Sequence, residues 1–130
     1  MQIKNKVIVC VVLIFFTLNL NLAAEEFNIS ASEIIIDKDK DIVVGKGSVE
    51  VTDKEGKLIK ADKVTYEKSK EFITAEGSVE VLDTLGNILK SNKATYDKIN
   101  EIIATYKNSN LTIKEGYHIK SQIILYDIKK

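Results

Sequence analysis

Arginine and proline are absent from the 130 residues, and cysteine and histidine occur once each. Without arginine, and with 19 lysines set against 19 acidic residues, the chain has no basic surplus to grip nucleic acid. The lone His118 has no serine, cysteine or second ligand beside it in sequence. No phosphate-cradling glycine loop, nucleophile elbow or Cys/His metal cluster is present either. The composition therefore argues against an enzyme, and nothing in it asks for a cofactor or a metal. Asp37-Lys38-Asp39-Lys40-Asp41 has the acid spacing of a calcium loop but lacks its glycine and distal glutamate; it reads as a solvated turn. The absence of proline leaves every backbone N–H available for a β-ladder.

The cysteine, Cys10, sits in the only long apolar run. Lys4 and Lys6 precede Val7–Leu18, which is apolar apart from Thr17, and Leu22-Ala23-Ala24 offers small residues before Glu25-Glu26. A basic start, a short apolar stretch and a small-residue exit describe a secretory signal peptide, residues 1–24, cut after Ala23 or Ala24. The alternative is a retained anchor, for which the run falls short of the roughly 20 residues that span a bilayer. Cleavage would remove Cys10 and leave an exported chain without a disulfide, so its stability must come from burial and backbone pairing. A periplasmic location fits such a chain.

What the chain does have is repetition. GSVEV stands at Gly47–Val51 and again at Gly77–Val81. Lys60-Ala61-Asp62 returns as Lys90-Ser91-Asn92 and Lys120-Ser121-Gln122. Tyr66 returns as Tyr96 and Tyr126, and Gly56 as Gly86 and Gly116. A fixed period of this size marks a stack of supersecondary units, each too small to bury its apolar side alone.

Within a unit the period is two. Ile73, Ala75, Gly77, Val79 and Val81 alternate with Thr74, Glu76, Ser78 and Glu80, the pattern of a half-buried strand. Glu67-Lys68-Ser69-Lys70 and Thr84-Leu85-Gly86-Asn87 are connections too short for a parallel crossover. The chain is therefore predicted to zigzag as antiparallel hairpins. Parity slips between Ala61 and Val64, and again between Ser121 and Ile124, which places a bulge or corner near Asp62 and Lys63. Gly47 and Gly77 mark bends in the intervening strands. Long strands creased at fixed points fold a sheet over on itself, giving a two-layered antiparallel trough. Its inner face is predicted to carry Val43, Val49, Val51, Ile59, Ala61, Val64, Ile73, Ala75, Val79, Val81, Leu89, Ile103, Leu111 and Ile113. Near-identical units would present a uniform groove, suited to a long flexible apolar ligand; the alternative is that this face packs into a dry core. In the third unit Lys107 and Ser109 replace the glycine and valine of GSVEV, and parity puts both on the inner face.

The repeated segments resemble the OstA-like family of lipopolysaccharide transport proteins, including LptA and the N-terminal domain of LptD. The resemblance rests on Gly47-Ser48-Val49-Glu50-Val51-Thr52-Asp53 with Gly56, Ile59, Ala61-Asp62, Val64 and Tyr66-Glu67. It rests equally on Gly77-Ser78-Val79-Glu80-Val81-Leu82-Asp83 with Gly86, Leu89, Ser91-Asn92, Ala94 and Tyr96-Asp97, and it covers residues 27–130. It implies an all-β fold, an antiparallel β-jellyroll or β-taco that shields the acyl chains of lipid A. It also implies partnership with other jellyrolls of the transport system by β-augmentation. The edge strands for that pairing would be Phe27–Asp37 and Tyr117–Ile128, with Phe27, Ile29, Ile34, Ile36, Ile119, Ile124 and Tyr126 on them. The fourth unit stops at Lys130, which favours an LptD-type N-terminal domain, associated with the outer membrane, over an LptA-type bridge. A structural polymer of parallel coils, or an adaptor that binds only protein, remains as the alternative function.

Overall fold

A computed structural model describes residues 27–129. The signal-peptide expectation falls outside them. The elements are β1 (Phe27–Ser30), β2 (Glu33–Asp37), β3 (Ile42–Asp53), β4 (Leu58–Glu67), β5 (Phe72–Leu82), β6 (Ile88–Asp97), β7 (Ile102–Thr112) and β8 (His118–Asp127), with one 3-10 turn at Lys68–Lys70. Every pairing is antiparallel, and from β3 to β8 each strand lies beside its sequence neighbour. β1 and β2 both pair with β3, at its far and near halves respectively. The sheet is unclosed: among the described residues β8 pairs only with β7, and β1 and β2 only with β3. This is the antiparallel zigzag read from the short connections.

The crease lies where the sequence placed its bends and corner. Each ladder from β3 to β8 breaks once and at the same level, between Lys46 and Val49, Lys60 and Lys63, Glu76 and Val79, Lys90 and Lys93, and Tyr106 and Ser109. The extra residue of each break lies in β3, β5 and β7, in the first two at the expected bends Gly47 and Gly77, and β4 slips beside it between Lys60 and Lys63, at the expected corner near Asp62 and Lys63. Both residues of the break are left-handed: Gly47 and Ser48 at φ 83 and 48, Gly77 and Ser78 at 87 and 47, Lys107 and Asn108 at 67 and 54. A left-handed pair turns the strand without exchanging its faces, so Ala75 and Val79 stay inside while Ser78 between them is exposed. The same turn sends Lys107 out to solvent, correcting its predicted inner position. Ser109 does lie inside, 1% exposed, and its hydroxyl donates to the Gln122 carbonyl at 3.1 Å.

Creasing brings the two halves of the sheet face to face. Phe27 at one end of the first half meets the rings of Tyr66 and Tyr96 from the second, edge-on, at centroid distances of 5.0 and 5.8 Å. One apolar cluster runs from Phe27 to Leu111 between the layers. Burial of each Val, Ile or Leu in it stabilises by about 1.5–3 kcal/mol.

Candidate functional site

The candidate site is the space between the layers. Twelve of the fourteen predicted inner residues are buried: Val49, Val51, Ile59, Ala61, Val64, Ile73, Ala75, Val79, Val81, Leu89, Ile103 and Leu111. Val43 and Ile113, nearer the two ends, are partly buried against them. The trough is thus filled by its own side chains, in place of the open groove that small residues alone suggested. Sequence reading missed Tyr66, Ala94, Tyr96, Thr105 and Ser91, which share this interior; the 30-residue period of the tyrosines was the signal for two of them.

The proposed edge residues divide. Phe27 is buried under the two tyrosines. Ile29, Ile124 and Tyr126 are half-buried. Ile34, Ile36 and Ile119 are exposed on strands whose outer backbone has no partner among the described residues. Ile123 and Leu125, which the sequence did not single out, add exposed apolar surface to β8.

Opposite the crease the layers end in two rows of turns, which form the mouth of the trough. The turns after β3, β5 and β7 are alike: the N–H of Asp53, Asp83 and Ile113 donates to the carbonyl four residues on. A glycine follows with φ between 95 and 106, a conformation that glycine adopts without strain. Asp53 and Asp83 also cap their turns. Asp53 accepts from the N–H groups of Glu55 and Lys57, each at 2.9 Å, and Asp83 from those of Leu85 and Asn87 at 2.9 and 2.8 Å. Their remaining oxygens face across the mouth. The Tyr96 hydroxyl donates to Asp53 at 3.2 Å and the Tyr126 hydroxyl to Asp83 at 2.5 Å. The Lys98 ammonium reaches Glu55 at 3.0 Å beside the first of these.

These contacts set the titration of the groups. Burial alone would raise Asp53, but the Lys57 N–H, the Lys57 ammonium and the Tyr96 hydroxyl outweigh it and hold the carboxyl below the usual range. Asp83 is lowered likewise, against burial, by Tyr126 and Asn87. Tyr96 is pushed far up by burial and by the Asp53 charge. Because the folded protein holds these two carboxylates more acidic than the unfolded chain does, their contribution is complete above about pH 4 and lost as pH falls through their folded values. Urea midpoints measured from pH 7 to pH 2.5 should therefore fall on acidification, and Asp53→Asn should flatten part of that fall.

No family model and no curated protein sequence matches the chain. Among solved structures it is similar to the crystal structure of LptH from Pseudomonas aeruginosa, described as the LptA homologous periplasmic component of the lipopolysaccharide transport device. The TM-score is 0.70 at 17% identity, over 80% of this chain and 77% of that one. The fold is LptA-like. At this identity the likeness belongs to the architecture: an unclosed, creased antiparallel sheet with its apolar rows turned inward. Among the described residues no helix is long and apolar enough to cross a membrane, and no group of three or more His, Cys, Asp or Glu side chains is placed to hold a metal.

Proposed function

We propose that this chain is a periplasmic carrier in lipopolysaccharide transport, taking lipid A acyl chains between its two layers. In this reading it joins neighbouring jellyrolls through the exposed edges at β1–β2 and β8. The supporting observation is the continuous apolar interior within an LptA-like fold. The same reading covers a free-standing bridge of the LptA kind and an LptD-type N-terminal domain.

Because the interior is filled, acyl chains can enter only if the layers part. The magnitudes permit it. A chain of about ten methylenes gains roughly 8 kcal/mol on leaving water. Breaking one cross-mouth hydrogen bond to a carboxylate costs about 1.5–3 kcal/mol, and the inner side chains exchange contacts with each other for contacts with the lipid. The packed interior also favours a second reading, a dry-cored β-domain that only docks other proteins.

A photo-crosslinker placed at Val79 or Ile103, both inside, separates the two. A carrier captures lipopolysaccharide there several-fold more efficiently than from Glu80, which lies on the opposite face of β5. Equal capture from all three positions would favour the adaptor.

A further inference from the structure

Among the described residues the layers are joined covalently at the crease but only by side chains at the mouth. There the contacts repeat. Tyr96 meets Asp53 and Tyr126 meets Asp83, each pair 43 residues apart, so each tyrosine closes over a turn of the preceding unit. Asn87 strengthens the second rung, its amide donating to Asp83 at 2.8 Å and to the Tyr126 hydroxyl at 3.0 Å. At the third equivalent turn Ile113 stands where the carboxylates stood, and the side chains beyond it open to solvent: Tyr117 is 70% exposed and Ile119 44%. The grip across the mouth thus ends at the Tyr126 rung. Between that rung and the Tyr96 rung lies a cavity of about 400 Å³, lined by Glu55, Lys57, Thr84 and Leu85 on one row of turns and by Ile128 and Lys129 on the other.

We propose that the Tyr96–Asp53 and Tyr126–Asp83 pairs are latches that hold the mouth shut, and that an acyl chain enters sideways at the Tyr126 rung through the cavity beside it. This rests on the carrier reading for its ligand, though not for the latch. Entry from the side lets a lipid keep its sugar and phosphate head in water while its tails pass between the rims, which threading from one end would not require. Isoleucine at position 113 leaves the stretch of the mouth beyond Asp83 without a carboxylate rung, so on that side no further carboxylate rung backs the Tyr126–Asp83 pair.

Two measurements on the full exported chain test this. Tyr126→Phe removes one hydroxyl and keeps the ring. Amide hydrogen exchange within residues 79–83 and 123–127 should quicken about tenfold, the loss expected for one hydrogen bond to a charged group. Exchange around Asp53 should be unchanged. Tyr96→Phe should do the converse, quickening exchange around Asp53 and sparing Asp83. Thr84→Cys and Lys129→Cys, with Cys10→Ser, allow a short bismaleimide to staple the mouth over the cavity with both tyrosines intact. With the Val79 photo-crosslinker, lipopolysaccharide capture should rise severalfold in Tyr126→Phe and fall to the level of Glu80 in the stapled protein. Unchanged exchange in both tyrosine variants overturns the latch, and undiminished capture after stapling overturns sideways entry. If the unstapled protein captures no lipopolysaccharide, the carrier reading fails instead, and the latch stands or falls on the exchange rates.

Discussion

Gly77→Ala should cost about 3 kcal/mol or more, the sum of a left-handed backbone forced on a residue with a Cβ and a steric overlap. Gly77 holds φ +87, and an added Cβ would lie 2.8 Å from the Cβ and 2.9 Å from the Cγ of Asp62. The Asp62 Cβ is fixed to its own backbone, so rotating a side chain cannot relieve the contact; β4 and β5 must separate at the crease. Gly116→Ala is the control. It too sits at positive φ, +106, but nothing lies within 4 Å of the added atom, so only the conformational cost of about 1 kcal/mol applies. At the third crease the substitution runs the other way. Lys107 occupies the same left-handed position at φ 67 with a side chain in solvent, and Lys107→Gly should stabilise by about 1 kcal/mol. Urea unfolding of the three variants orders them: Gly77→Ala weakest, Gly116→Ala between it and the parent, Lys107→Gly above the parent.

Ile73→Ala should cost about 3 kcal/mol, within the range for emptying a closed core site. Ile73 is fully buried on β5, between Tyr66 of β4 and Tyr96 of β6 in the ladder. Its neighbours carry rings whose positions are set by Phe27 from the other layer, so the site cannot collapse without shifting the contact between layers. For a domain of about 100 residues this loss lowers the melting temperature by roughly 12–24 °C. Ile99→Ala, on a turn and 63% exposed, should stay within about 0.5 kcal/mol of the parent. If Ile73→Ala were equally mild, the interior would not be a packed core.

β5 was legible because its odd-numbered face is kept on both sides of the crease. Ile73, Ala75, Val79 and Val81, read as one face of a strand, are buried between the layers. The crease was half legible. The parity slip at Ala61–Val64 announced a corner and Gly77 a bend, but the extra residue stayed hidden, because the paired left-handed residues at Gly77-Ser78 preserve the odd-numbered face. Lys107 was misplaced for the same reason, since alternation assumes extended backbone and φ 67 breaks it. The mouth contacts were not legible at all. Asp53 and Tyr96 lie 43 residues apart, an interval set by how the layers are offset and not by the 30-residue repeat. Phe27 does lie on an edge strand, but the crease folds its ring under two tyrosines, which its place at the start of the repeats did not announce.

The most direct measurement is methyl NMR of the full chain titrated with lipopolysaccharide below its aggregation threshold. The methyl groups of Val51, Val79, Leu89 and Ile103 should shift and show intermolecular contacts to acyl protons, while those of Leu58, Leu82 and Ile88 on the outer face stay in place. Contacts confined to the outer face, or inner methyls that ignore the lipid at saturation, would contradict a carrier whose cargo lies between its layers.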